Sequence, residues 1–323
     1  MSFRQGQRVG PYVIERKLGT GGMASVWLAY DEKRRQTVAI KVMADAIDED
    51  GPLALRFRDE IRHHAVLRHP GIIAVRDVFS VGGRPCLVMD LAPGGSLASL
   101  LDERTSRRLA VGEALPLIGE VLDALDYAHR HGMVHRDVKP SNVLLDASRQ
   151  HALLSDFGIA LMAGERRRTR TGQSVGTTAY MSPEQIRATG TIDFRSDVYS
   201  VGCVLYELLT GRPPFVADGT DASRADDANA RAEVLGMHLM KKPVPPDRRV
   251  RAIPHHVSEL IMRALEKDPA RRVQGCAEFK RLLHAQVGWR DRVPSWLRSP
   301  FGIAAAVVFA AAAVLGAMVV MAA

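Results

Sequence analysis

A chain of 323 residues that is 46% hydrophobic and 25% charged has the composition of a folded globular protein, which excludes a chain dominated by disorder. Its net charge of +8 comes without C-x-x-C zinc spacing, a recognition-helix signature or interleaved aromatic and basic residues. The charge therefore reads as a solvated arginine-rich face or an attraction to anionic membrane, and no nucleic-acid partner is expected. Cys86, Cys203 and Cys276 are odd in number and sit among apolar neighbours, so small buried hydrophobes are expected in a reducing compartment, not a disulfide framework.

Taken in chain order, residues 1–10 carry Arg4 and Arg8 but no apolar h-region, so no secretory signal is expected. Residues 12–14, 25–30 and 37–43 are rich in β-branched and aromatic side chains and predict short strands. A helical stretch follows over 53–68. Longer helical patterns are predicted at 116–131, 197–210, 256–266 and 277–286, punctuated by Pro and Gly. The stretch 217–232 lacks periodicity and predicts a mobile loop. A small sheet lobe, about residues 9–92, should precede a helical lobe, about 93–286, making residues 1–286 one α+β domain.

Residues 287–300 form a basic linker, and 301–323 are uninterrupted apolar sequence, enough for about 35 Å of helix and one bilayer crossing. A buried core helix is the alternative, but such helices seldom lack a polar face over this length. Arg290, Arg292 and Arg298 precede the span and nothing charged follows, which predicts a single-pass cell-membrane protein with the preceding domain in the cytoplasm. With the sequence stopping at Ala323, no external domain is expected. Gly302, Ala306 and Ala310, and Ala312 with Gly316, lie four apart, a spacing that suits close packing of two spans as well as plain alanine-rich composition.

The chemistry-bearing residues begin with Leu18, Gly19, Thr20, Gly21, Gly22, Met23, Ala24, Ser25 and Val26, between two strand signals. Glycines there let main-chain amides approach phosphate oxygens, although an ordinary glycine-rich hairpin reads the same way. Next, Val38-Ala39-Ile40-Lys41 puts Ala39 and Lys41 on one face of a strand, a small apolar residue beside an ammonium. Glu60, in the helical stretch, is the candidate ion-pair partner of Lys41. The run His135-Arg136-Asp137-Val138-Lys139-Pro140-Ser141-Asn142, followed by Asp156-Phe157-Gly158, supplies two carboxylates and an amide, which suit a site needing oxygen ligands and a base.

On these motifs the sequence resembles the eukaryotic-type (Hanks-type) Ser/Thr protein kinase family, closest in flavour to its bacterial membrane-anchored group. The resemblance covers about residues 9–286. It implies a bilobal kinase fold, with a small antiparallel-sheet N-lobe and a larger helical C-lobe, plus one C-terminal transmembrane helix. By it, Asp137 is the catalytic base or aligner, Lys139 steadies the γ-phosphate, Asn142 and Asp156 hold Mg²⁺, and Lys41 pairs with Glu60. ATP would lie under the loop 18–26, its adenine between Leu18, Val26 and Ala39 above and Leu144 below. Met89 is the implied gatekeeper, with main-chain bonds from Asp90 and Ala92.

The run Gly176 to Glu184 resembles the substrate-docking loop, with Ser182 where Ala is commoner. Glu184 and Arg272 resemble the family's structural ion pair, and Asp197 the aspartate that braces the catalytic loop. Ala24 replaces the loop's third glycine, a departure expected to affect ATP affinity more than chemistry. Thr169 and Thr171, among four arginines, are the expected activation-loop phosphosites, modified in trans by a second copy. A kinase-fold scaffold without turnover and a nucleotide sensor use the same pocket, but intact Lys41, Glu60, Asp137, Asn142 and Asp156 disfavour the scaffold.

Overall fold

The computed structural model describes residues 3–21, 24–43, 67–157, 178–188, 192–217 and 228–285. The expected helix at 53–68 lies almost wholly outside them, as do Gly22, Met23, Glu60, Thr169, Thr171 and the apolar run 301–323. A compact unit spans Met1–Lys280. No helix among the described residues is long and apolar enough to cross a membrane.

The first lobe is one antiparallel sheet. Strands β1 (Arg8–Val9), β2 (Tyr12–Thr20), β3 (Ala24–Asp31), β4 (Gln36–Met43), β5 (Val75–Val81) and β6 (Arg84–Asp90) lie in the order β1-β2-β3-β4-β6-β5. Alternation along β4 sorts its side chains. Val38, Ile40 and Val42 join Tyr12, Ile14, Trp27 and Val88 in one apolar cluster, which Phe3 completes with its ring edge-on to Trp27 at 5.8 Å. The other face carries Leu87 and Met89, packed with Ile73, Val75, Leu144 and Leu153, and the register pairs Ala39 with Met89 and Lys41 with Leu87. A one-residue slip would exchange the faces and put Lys41 in the apolar cluster, so burial fixes the register.

The second lobe is helical: α1 (Leu97–Glu103), α2 (Val111–Arg130), α3 (Pro183–Arg187), α4 (Arg195–Thr210), α5 (Ala228–Met240), α6 (Pro246–Arg249), α7 (His255–Ala264) and α8 (Cys276–Ala285). A two-stranded ribbon, β7 (Val143–Leu145) and β8 (Ala152–Leu154), packs on α2. Helix α4 is buried from Ser196 to Leu209 and forms the axis against which α2 and α7 pack.

Two sequence expectations need correction. The helix predicted from Pro116 starts earlier, at Val111, where the Glu113 side chain accepts the Ala110 amide at 3.0 Å and closes the N-terminus. Pro116 sits inside the helix and forfeits one main-chain bond, a loss outweighed by ten buried residues on α2. Residues 228–232, expected within a mobile loop, are the first turns of α5, held by the burial of Ala230 and Val234 against Ala217. Local periodicity there is weak, and packing supplies what the pattern lacks.

The connection between the lobes depends on two glycines. Gly94 donates to the Leu145 carbonyl at 3.0 Å and Leu145 donates back to Gly95 at 2.9 Å. A Cβ on Gly94 would stand 2.0 Å from the Asp146 carbonyl oxygen, and Gly95 has φ +84°, so only glycine fits this crossing. Ser96 then caps α1, its hydroxyl accepting the Ser99 amide at 3.2 Å.

Candidate active site

The segment from His135 to Asn142 is held from below by a buried carboxylate. Asp197, in the first turn of α4, has no exposed surface. Its Oδ2 accepts the His135 amide at 2.8 Å and meets His129 Nε2 at 2.7 Å, while Oδ1 accepts the Arg136 amide at 2.8 Å. Gln185 of α3 adds a bond from Nε2 to the Arg136 carbonyl at 2.7 Å. With both main-chain groups engaged, Arg136 is kept at φ +65°, a left-handed conformation that costs a non-glycine residue on the order of 1 kcal/mol. The bracing expected of Asp197 is present, and Gln185, to which no such role was given from sequence, shares it.

Asp137 keeps part of its carboxylate exposed, 16% of the side chain. Its Oδ2 accepts from Lys139 Nζ at 2.7 Å and from Asn142 Nδ2 at 3.0 Å, and among the described residues Oδ1 has no hydrogen-bond partner and is the oxygen able to receive a hydroxyl proton. Asn142 Nδ2 also donates to the Asp137 carbonyl at 2.8 Å, which turns the amide oxygen away as a neutral ligand. His135 ties this loop to the next: Nδ1 accepts the Asp137 amide at 3.2 Å and Nε2 meets the Ser155 carbonyl at 2.8 Å. Its ring lies 4.6 Å from that of buried Phe157.

Asp156 adopts φ +66° and its Oδ1 lies 2.6 Å from Lys41 Nζ. Burial alone would raise its pKa, but the Lys41 ammonium, with further help from His135 and Lys139, holds the carboxyl below the usual aspartate range. An ionised carboxylate and an amide oxygen are hard donors of the kind Mg²⁺ takes. The hairpin β2–β3 closes through a bond from the Gly21 amide to the Ala24 carbonyl at 2.8 Å, and a Cβ on Gly19 would meet nothing within 4 Å among the described residues. The residues therefore fit a magnesium-bound nucleotide, with a carboxylate and an amide oxygen as hard donors.

Sequence reasoning joined Lys41 to Glu60; among the described residues its partner is Asp156, on the opposite lobe. Ala39 and Met89 are buried side by side on the inner sheet face, Ala92 and Leu144 pack at its lower edge, and Leu18 is 39% exposed. Asp90 gives its carboxylate to Arg76 in a bidentate pair, 2.6 Å on each arm, and its amide donates to the Ala74 carbonyl at 3.1 Å. Gly94, Gly95 and Arg76 were not singled out from sequence; the Pro-Gly-Gly-Ser turn signal was the clue to the first two.

Beyond the cleft, Glu184 and Arg272 form a bidentate pair, 2.7 Å on each arm, with the Arg272 side chain wholly buried. Burial pushes the Glu184 carboxyl up, but Arg272 and Ser196 more than offset it and its pKa is lowered. Ser182 has a structural reason: it caps α3, its hydroxyl accepting the Gln185 amide at 3.4 Å while Gln185 Oε1 accepts the Ser182 amide at 3.0 Å.

Set beside known proteins, the chain matches the protein kinase domain family over residues 12–285. It belongs to the protein kinase family. This kinase is 38% identical over 276 residues to the serine/threonine-protein kinase PknB of Mycolicibacterium smegmatis, covering 83% of this chain and 42% of that one. It is 38% identical over 271 residues to PknJ of Mycobacterium tuberculosis, covering 83% and 44%. The kinase thus spans less than half the length of these curated relatives. Among solved structures, the PknI kinase domain of Mycobacterium tuberculosis superposes with a TM-score of 0.68 at 28% identity, covering 88% of this chain and all of that one.

Proposed function

We propose that the chain is a Ser/Thr protein kinase that moves the γ-phosphoryl group of ATP, with Mg²⁺, onto protein Ser and Thr hydroxyls. The observation that carries this reading is the oriented Asp137 carboxylate, one oxygen bonded by Lys139 and Asn142 and the other without a hydrogen-bond partner among the described residues. Bound Mg-ATP would supply the electrophilic phosphoryl group. Asp137 aligns the substrate hydroxyl and takes its proton, and Lys139 offers positive charge where negative charge gathers. Asn142 and Asp156 present oxygen ligands, and Lys41 holds the nucleotide phosphates, with Glu60 as its partner in the productive state. The segment 176–184 docks the protein substrate. The test is ATP-dependent labelling of a serine-rich protein by the wild type and by Lys41→Met, Asp137→Asn and Asp156→Asn. Each variant should remain folded by circular dichroism and lose at least about 100-fold in rate. Near-normal labelling by any of them would overturn the assignment.

We further propose that phosphorylation of Thr169 and Thr171 switches the kinase on. Support comes from Arg136, whose Nε is buried without an acceptor among the described residues. A phosphate brings about 1.5 to 2 negative charges and three acceptor oxygens, enough to satisfy that donor. Mass spectrometry of active protein should find phosphate on one or both threonines, and the double Thr→Ala variant should be much slower. Full activity of that variant from the first minute would sink the switch. Residues 301–323 are proposed to anchor the kinase in the cell membrane with residues 1–286 in the cytoplasm, concentrating copies for phosphorylation in trans.

A further inference from the structure

Helix α5 ends in a segment that presents apolar and cationic side chains together at the surface. Met240, its last residue, is 87% exposed and Val244 is 43% exposed. Five large apolar side chains are exposed among the described residues, and two of them are therefore in this one short stretch. Lys241, Lys242, Arg248 and Arg251 are exposed around them, and none of the four closes a side-chain hydrogen bond or ion pair among the described residues.

The main chain beneath these side chains is held in place. Tyr206 of α4 donates its hydroxyl to the Val244 carbonyl at 2.9 Å, and Arg249 Nε donates to the same hydroxyl oxygen at 2.5 Å. The Lys241 amide donates to the Met237 carbonyl at 2.8 Å and closes the end of α5. Between α5 and α6 Pro243 is buried, so in this extended stretch its neighbours Lys242 and Val244 share the outward side. Asp247 is the one acidic residue from Met240 to Ala252. Its carboxylate is engaged, with Oδ2 2.7 Å from His255 Nδ1 and Oδ1 accepting Ser258 Oγ at 2.7 Å, and His255 Nε2 lies 3.4 Å from Glu259. The exposed cations therefore have no free carboxylate in their own segment, and the face they form is complementary to negative charge.

We propose that Met240 and Val244, with Lys241, Lys242, Arg248 and Arg251, form a docking face for an anionic lipid surface, the Met240 side chain entering the headgroup layer and the cations meeting its phosphates and carboxylates. The inference rests on reading 301–323 as the membrane anchor, and adds which face of the kinase meets the bilayer. Lysine is depleted at protein interfaces, whereas beside a membrane its stem covers apolar surface while its ammonium stays among anionic groups. Each cation near such a surface favours contact about fivefold, so four together favour it several hundred-fold. A linker as long as 287–300 reaches at most about 50 Å, comparable with the breadth of a domain of this size, so the tether by itself selects no face. Anchoring raises the local concentration, and a bias too weak to retain a free domain then suffices to orient a tethered one.

The experiment places the full chain, with Met240→Cys carrying an apolar environment-sensitive fluorophore, in vesicles of phosphatidylcholine alone or with about 30% phosphatidylserine. Cys86, Cys203 and Cys276 are buried, so the label goes to residue 240. Emission should shift to the blue in the anionic vesicles and not in the neutral ones, and about 1 M salt should reverse the shift. Adding Lys241→Ala with Lys242→Ala should lower the docked-to-free ratio about 25-fold, at about fivefold for each cation, and leave activity on a soluble peptide unchanged. An equal shift in both vesicles, or none in either, overturns the proposal. A fall in soluble-peptide activity with the emission shift intact would mean that the face docks protein, and overturns it too. Flotation with neutral vesicles separates the two readings. If the full chain does not float with them, the anchor is wrong and the proposal goes with it. If it floats and the label ignores anionic lipid, only the docking face is wrong.

Discussion

Buried titratable side chains are where single residues decide most in this kinase. Glu207 of α4 is 7% exposed and accepts the Tyr180 hydroxyl at 2.5 Å. Burial raises its pKa above the ordinary glutamate value, and the Tyr180 bond only partly offsets this. A raised carboxyl makes the native state bind protons more tightly than the unfolded chain. Stability from this group is therefore full below the unfolded pKa and falls as pH rises through the native one. Glu207→Gln keeps an acceptor for Tyr180 and removes the titration, so its melting temperature should gain on the wild type between pH 4 and pH 7. A difference that does not change with pH would refute this. His238 works in the opposite direction, because an unfolded histidine binds a proton below about pH 6.5 that the buried ring refuses until about 3. Acidification across that window should weaken the fold.

Between elements, the tightest described fastening is the one joining α3 to the turn Pro269–Arg271. Arg272 gives two bonds to Glu184 and others to the carbonyls of Glu266, Arg195 and Lys267 at 2.7, 2.9 and 3.2 Å. Its guanidinium also lies 5.0 Å from the centre of the Tyr199 ring. Removing one partner leaves a mostly buried carboxylate and three carbonyls unanswered, so Arg272→Ala should cost about 3–5 kcal/mol of unfolding free energy. Arg272→Lys keeps the charge but not the planar fork and should recover less than half of that. Denaturant titration of both variants checks this, and a loss below about 1 kcal/mol in Arg272→Ala would contradict the burial argument. Because α3 carries Gln185, whose amide holds the Arg136 carbonyl, loosening this fastening should also lower activity.

For the whole molecule, the kinase fold and the proposed membrane attachment should separate. The family match ends at residue 285, ahead of the basic linker and the apolar run. A chain ending at Gln286 should stay in solution and keep its ATP-dependent activity, whereas the full chain should sediment with membranes and be released by detergent. Sedimentation of the truncated protein with membranes would place the anchor elsewhere. Protection of the kinase domain from protease added on the cytoplasmic side would reverse the proposed orientation.

Short-range chemistry carried the reading of the sequence as far as it went. The run His135 to Asn142, the Asp156-Phe157 pair and the alternation of Val38-Ala39-Ile40-Lys41 are contiguous, so the sequence could single them out, and the resemblance supplied the roles expected of them. Strands β1 and β5 to β8 and helices α1, α3, α5 and α6 were not predicted, since they are short or carry too weak a local pattern. Asp197 and the pair Glu184–Arg272 were legible only through resemblance, because their partners lie far along the chain. Tertiary structure alone decided that Lys41 meets Asp156, that Gln185 reaches the Arg136 carbonyl, that Gly94 passes Asp146 with no room for a Cβ, and that His238 meets the Tyr199 hydroxyl. Each is a contact between segments distant in sequence, fixed by the burial of polar groups that must find a partner, and no local pattern encodes which partner that will be.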